Sequence, residues 1–178
     1  MRRRGKGELG LADAAVKFIE RSKGKPFFLY LPLTAPHTPI AVTEEWRGKS
    51  GLNDYADFVM QTDAVVGNIL AALDAHGLAA NTLVIFTADN GCSPQAGTPA
   101  LEKQGHFASA EFRGYKADIW DGGHRVPFLA RWPGKIPAGS TCSELASTMD
   151  VLPTFAKLAG SSPPKDRVID GHDIWPLL

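Results

Sequence analysis

The sequence predicts an α/β fold, a largely parallel sheet flanked by helices. Two observations carry this. Short apolar runs rich in β-branched or aromatic residues, at 27–31, 82–87 and 126–132, read as buried strands. Segments of helical periodicity separate them. Strands that alternate with helices build parallel sheets, and ligands then sit beyond the carboxyl ends of the strands.

In chain order, Leu11, Ala15, Phe18 and Ile19 keep helical spacing, which predicts a helix over 9–22 that Gly24 ends. Phe27-Phe28-Leu29-Tyr30-Leu31 is the first strand, closed by Pro32. The loop Thr34-Ala35-Pro36-His37-Thr38-Pro39 follows, stiffened by two prolines. Tyr55, Phe58, Val59, Thr62, Val66, Ile69, Leu70 and Leu73 recur at helical intervals and predict a helix over 54–76. Asn53 or Asp54 caps it and Gly77 stops it. Thr82 to Thr87 is the second strand and runs straight into Ala88-Asp89-Asn90-Gly91. Residues 91–124 are glycine-rich and irregular, the kind of long loop that compact domains keep for function. Val126 to Trp132 is the third strand, closed by Pro133-Gly134. Asp150 caps a helix through Leu158, ended by Gly160, and a polar connector from Pro163 leads to Gly171-His172-Asp173.

The 178 residues are 44% hydrophobic and 21% charged, which is globular composition for one domain or one piece of a larger one. Nineteen Lys+Arg balance nineteen Asp+Glu, which argues against a generally nucleic-acid-binding protein. No apolar run approaches the roughly 18 residues that span a bilayer. Arg2, Arg3, Arg4 and Lys6 make a basic start, but Gly5, Gly7, Glu8 and Gly10 follow where a signal peptide needs an apolar stretch. The start therefore reads as a solvated basic tail. Cys92 and Cys142 form no C-x-x-C pair and no zinc pattern; each reads as a small buried or half-buried side chain, with no disulfide indicated.

Three short stretches carry candidate chemistry. Asp89-Asn90-Gly91 offers a carboxylate and an amide oxygen, hard ligands suited to Ca²⁺ or Mg²⁺, just after a strand. His37 stands between prolines, also after a strand, and an imidazole there can donate a proton or hold an oxyanion. Lys116, in Arg113-Gly114-Tyr115-Lys116, can reach an anion as a point charge. Each has an ordinary reading too: a turn, a surface histidine, an exposed lysine. Asp121 and Arg125 read as a structural pair, and His76, His106, His124 and His172 as helix-end or loop residues. Together the three stretches offer an oxygen-ligand pair, an acid/base imidazole and a cationic clamp. That set suits hydrolysis of an anionic ester, in which charge develops on the leaving oxygen.

The order of segments resembles the type I sulfatases, the arylsulfatase-like branch of the alkaline phosphatase superfamily. The resemblance runs through Pro26-Phe27-Phe28-Leu29-Tyr30, Pro36-His37-Thr38-Pro39, Asp63 with Val66-Gly67, and Asn81 to Gly91. It continues in Phe112-Arg113-Gly114-Tyr115-Lys116, Asp121-Gly122-Gly123-His124-Arg125-Val126-Pro127, Trp132-Pro133-Gly134-Lys135-Ile136 and Asp150-Val151-Leu152-Pro153-Thr154. It covers nearly the whole chain. It implies an alkaline phosphatase-like α/β fold, incomplete here, with residues 1–178 as a partial catalytic domain. It implies that Asp89 and Asn90 are half of a Ca²⁺ site (Mg²⁺ or Mn²⁺ being alternatives), and that His37 and Lys116 hold the sulfate and stabilise or protonate the leaving oxygen. Asp121 stands where the family often has Glu, and reads as structural.

The resemblance also implies a formylglycine nucleophile, made from Cys or Ser in a C/S-x-P/A-x-R motif, and an Asp-Asp metal pair, both nearer the N-terminus than residue 26. Cys92-Ser93-Pro94-Gln95-Ala96 imitates the motif but has Ala96 in place of Arg and follows the metal pair instead of preceding it. The expectation is a middle-to-C-terminal portion of a sulfatase with little or no activity alone, whose exposed sheet edge favours self-association. Its substrate would be a sulfated small molecule or carbohydrate, and family habit places such enzymes in the periplasm or outside the cell. The alternatives are a phosphodiesterase or phosphonate-ester hydrolase of the same superfamily, and a non-catalytic truncated gene product.

Overall fold

In a computed structural model the described residues are 5–178; the basic tail at Arg2 to Arg4 lies outside them. They divide into two compact units, Met1–Leu129 and Ala130–Leu178.

The first unit is built on two helices. Helix α1 (Gly5–Arg21) buries Ala12, Ala15 and Ile19, and α2 (Asp54–Ala75) buries Phe58, Val65, Ala72 and Leu73. The two pack against each other along these stripes. Asn53 caps α2: its side-chain oxygen accepts from the Ala56 N–H at 2.9 Å, satisfying one of the donors that a helix start leaves open. At the other end Gly77 adopts φ +68°. The Leu78 N–H donates to the Leu73 carbonyl at 2.8 Å and the Gly77 N–H to Asp74 at 3.0 Å, a Schellman stop that depends on the left-handed glycine. Before α2, buried Asp57 accepts the backbone N–H groups of Gly48 (2.6 Å) and Ser50 (2.7 Å), closing the preceding loop onto the helix.

Strand β1 (Val84–Thr87) pairs with β2 (Phe128–Arg131) in a two-stranded sheet. The expected strand at 27–31 has no regular secondary structure and belongs to no ladder among the described residues. Its side chains alternate, with Phe28 69% and Tyr30 76% exposed between half-buried neighbours. The alternation of a strand is present without membership of a sheet, because a strand's stability comes from its neighbours. The stretch 91–124, expected to be irregular, contains two short helices, α3 (Thr98–Lys103) and α4 (Asp121–His124), and a 3-10 turn at Pro94–Ala96.

The second unit centres on α5 (Val151–Leu158). Asp150 does not cap it through its side chain; Ser147 and Asp150 instead form a capping box around the 3-10 turn Thr148–Asp150. The Asp150 carboxylate accepts the Ser147 N–H (2.6 Å) and the His172 N–H (2.7 Å), and buried Thr154 accepts the Ile174 N–H at 2.9 Å. The C-terminal segment is thus tied to the start of α5. Hydrogen bonds from His172 first, then from Ser147, hold the Asp150 carboxyl below its ordinary range. Trp132 and Trp175 meet edge to face at 5.4 Å. Both cysteines are free; Cys92 is half-buried, while Cys142 is exposed, against the expectation for it, in a segment without regular structure.

Candidate active site

All four residues singled out in the sequence lie in the first unit, on loops. Asp89 and Asn90 follow the end of β1 directly; Asp89 is exposed and Asn90 half-buried. The Asn90 amide nitrogen donates to the Gly91 carbonyl at 3.1 Å. That fixes which end of the amide is spent and leaves its oxygen as a ligand atom.

Main-chain contacts bring the lysine loop to this turn. The Gly91 N–H donates to the Gly123 carbonyl (2.9 Å), the Lys116 N–H to the Cys92 carbonyl (2.8 Å), and the Gly122 N–H to the Arg113 carbonyl (2.8 Å). The strands of backbone approach so closely that no side chain fits between them. A Cβ at Gly91 would lie 1.8 Å from the Gly122 carbonyl oxygen. One at Gly122 would lie 2.1 Å from the Gly114 oxygen, and one at Gly123 2.2 Å from that of Asp118. Glycine is required here by space, since none of the three has a positive φ. Lys116 itself is half-buried and stands between two left-handed residues, Gly114 (φ +86°) and Ala117 (φ +79°). The second is uncommon for a residue with a Cβ, and such outliers concentrate at functional sites.

His37 is tied to the same region through its neighbour. The Thr38 hydroxyl donates to Gln95 Oε1 at 3.3 Å, and Gln95 lies in the 3-10 turn that follows Cys92. His37 Nδ1 lies 2.6 Å from the Thr38 carbonyl. A carbonyl can only accept, so Nδ1 carries a proton and Nε2 is the nitrogen left for other chemistry. The Asn53 amide nitrogen donates to the Ala96 carbonyl at 2.9 Å, anchoring the turn to the start of α2. Ala96 is buried, so an arginine, which the C-x-P-x-R pattern requires, has no room at this position.

Asp121 and Arg125 pair at 3.9 Å across α4, both exposed, and Arg125 stacks over Phe112 at 4.4 Å. This agrees with the structural reading of the pair. Cys92 Sγ donates to the Tyr55 hydroxyl at 3.6 Å. Burial pushes both the thiol and the phenol above their ordinary ranges, so the Cys92 thiol is not an activated nucleophile. Sequence reasoning missed the roles of Asn53 beyond capping, of the Cys92 carbonyl, and of Glu102, whose carboxylate accepts the Tyr115 hydroxyl. No spacing rule signals such contacts.

The donor set at Asp89 and Asn90 has the right chemistry for a hard cation but is small. Among the described residues no group of three or more His, Cys, Asp or Glu is placed to hold a metal. Two residues fit part of a site for an ion that takes six to eight oxygens. A groove between α1 and α2, lined by Ala12, Val16, Asn68 and Ala72 among others, shares no residue with this region. No helix among the described residues is long and apolar enough to cross a membrane.

Comparison with known proteins supplies the family. The model of the Sulfatase family matches residues 10–161. The chain is 45% identical over 168 residues to the steryl-sulfatase of Rattus norvegicus, covering 94% of this chain and 29% of that protein. It is 40% identical over 166 residues to the N-acetylgalactosamine-6-sulfatase of Canis lupus familiaris, covering 92% of this chain and 31% of that protein. The chain thus spans less than a third of the length of these curated relatives. A solved structure of Ps i-CgsB in complex with k-i-k-neocarrahexaose superposes with a TM-score of 0.84 at 34% identity, covering 95% of this chain and 37% of that one. An alkaline phosphatase-like α/β fold, present here in part, accords with that superposition. On its own matched length and on these identities, the chain belongs to the sulfatase family.

Proposed function

We propose that this chain supplies the anion clamp and half of the metal site of a sulfate-ester hydrolase, and that residues 1–178 are part of its catalytic domain. Sulfatases generally use a metal ion and a formylglycine. The single observation that carries the assignment of roles is the main-chain lock that sets the Lys116 loop against the turn bearing Asp89 and Asn90. Two backbone hydrogen bonds, from the Gly91 N–H to Gly123 and from the Lys116 N–H to Cys92, join these loops, which suits a site that holds an anion beside a cation.

In this reading Asp89 and Asn90 would hold a divalent cation, Ca²⁺ by preference, with carboxylate and amide oxygens. The ion would supply positive charge against the sulfate oxygens. The Lys116 ammonium would hold the same sulfate as a point charge. His37 keeps Nδ1–H on the Thr38 carbonyl; in its charged form it gives the proton on Nε2 to the leaving alcohol oxygen. The formylglycine and the remaining metal ligands would come from residues beyond this sequence. The substrate would be a sulfated small molecule or carbohydrate, and the exposed Phe28 and Tyr30 side chains support self-association of the chain when alone.

The test is a titration of the chain with CaCl₂ and then with sodium sulfate, followed by amide NMR. Calcium is expected to shift residues 88–91, and sulfate residues 114–117 and 37–38, with the sulfate response lost in Lys116→Ala. Sulfate shifts that persist unchanged in Lys116→Ala would sink the clamp. Phosphate binding far tighter than sulfate would favour a phosphoryl-ester hydrolase instead.

A further inference from the structure

We propose that Glu102 and Tyr115 form a strut that positions Lys116, so that α3 serves the anion clamp as a positioning element. The inference rests on the reading of Lys116 as the sulfate-holding residue. The Tyr115 hydroxyl donates to Glu102 Oε1, a hydroxyl-to-carboxylate bond of the stronger, charge-assisted kind. Glu102 lies in the last turn of α3, where the helix presents its negative end and a carboxylate is locally unfavourable. Its place there is explained by a partner outside the helix. The helix is a firm base, because Leu101 is fully buried and Thr98 nearly so.

At the other end of the strut, Tyr115 directly precedes Lys116. The Tyr115 N–H donates to Asp118 Oδ2 at 2.9 Å and the Lys116 N–H to the Cys92 carbonyl at 2.8 Å. The main chain is therefore held by Cys92 through the Lys116 N–H and by Glu102 through the Tyr115 phenol. A lysine side chain swings on four flexible bonds, so the place its ammonium reaches depends on where its Cα and Cα–Cβ bond are fixed. The left-handed Ala117 immediately after Lys116 is a conformation that persists only when its surroundings over-determine it. The strut is one of those constraints.

The experiment compares the parent chain with Glu102→Ala, Tyr115→Phe and Glu102→Gln by hydrogen exchange, thermal melting and sodium sulfate titration. Loss of a charge-assisted bond predicts about tenfold faster exchange at the Lys116 amide in Glu102→Ala and Tyr115→Phe, and sulfate binding weaker by a similar factor, with the melting temperature little changed. Glu102→Gln keeps an acceptor oxygen and is expected to recover both. Unchanged exchange at Lys116 in Glu102→Ala, or faster exchange spread evenly over α3 with a lowered melting temperature, overturns the strut. If the parent binds no sulfate while Lys116 exchange still follows the variants, the clamp reading fails and the strut stands.

Discussion

Alanine substitution at two glycines should change stability in opposite directions, and the structure sets the sign of each. At Gly123 the new Cβ would lie 2.2 Å from the Asp118 carbonyl oxygen and 2.7 Å from that of Tyr115. Ordinary contact for a Cβ begins near 3.4 Å, so backbone would have to retreat by about 1 Å. The obstructing atoms are main chain and cannot rotate away. Overpacking of this kind costs about 1–3 kcal/mol. At Gly67, inside α2, nothing lies within 4 Å of the added Cβ and φ is ordinary. There alanine removes backbone entropy from the unfolded chain and should stabilise by about 0.5–1 kcal/mol. The two variants should therefore differ by about 1.5–4 kcal/mol. With a urea slope of about 2 kcal/mol/M, their unfolding midpoints should stand roughly 0.8–2 M apart, on either side of the parent. A Gly123→Ala midpoint at or above the parent's would refute the argument that space, and not conformation, demands glycine at the lock. The displacement also falls on the Lys116 loop, and misplacement of a reacting group by about 1 Å can cost about a hundredfold in rate. Sulfate affinity should accordingly fall in Gly123→Ala and hold in Gly67→Ala.

Three further outcomes are expected. Leu101→Ala, at a side chain with no exposed surface, should cost about 2–5 kcal/mol by urea denaturation, and a smaller loss would mean that α3 collapses into the space. Ala117→Gly should relieve about 1–2 kcal/mol of left-handed strain against about 0.4–1 kcal/mol of added chain entropy; a small gain in melting temperature is the expected sign, and a loss would mean that φ +79° is not strained here. The Asp57 carboxyl is held below its ordinary range chiefly by the Ser50 N–H. A group with a depressed native value stabilises fully above its unfolded pKa, about 3.9, and loses that contribution as the pH falls through the lower native value. Asp57→Asn should thus be less stable than the parent at neutral pH, with a gap that narrows below about pH 4 in urea midpoints measured from pH 7 to 3; a gap that stays constant contradicts the assignment.

What the sequence disclosed depended on whether the cause was local. Helix α2 was legible almost to the residue, 54–76 against Asp54–Ala75, because its periodicity, its Asn53 cap and its Gly77 stop all lie within it. The stretch at 27–31 was readable as a strand pattern, yet whether Phe28 and Tyr30 are covered depends on backbone supplied from elsewhere. Helix α3 escaped notice because Thr98-Pro99-Ala100-Leu101-Glu102-Lys103 is too short for a period and sits among glycines. At the candidate site, residue types and their places after strands pointed to Asp89, Asn90, His37 and Lys116. What draws the loops of Asp89, Asn90 and Lys116 together is main-chain bonding through Gly91, Cys92 and Gly123, and the His37 loop joins through a Thr38–Gln95 side-chain contact far apart in sequence; no local pattern encodes either. Ser147 was missed as a cap because Asp150, nearer the helix, has the same propensity.

The interlocked glycines have a bearing on how such a site drifts over generations. Since the lock is made of carbonyls and N–H groups, it places no demand on the identity of the side chains carried by the loops between them. Ile119, exposed between the lysine and the Gly122-Gly123 pair, can be exchanged for another type without loosening the frame, whereas its neighbours take part in it: the Asp118 carboxylate accepts the Tyr115 N–H and Trp120 stacks with Arg113. The frame is therefore costly to alter, while an exposed side chain carried between its fixed points is cheap to change.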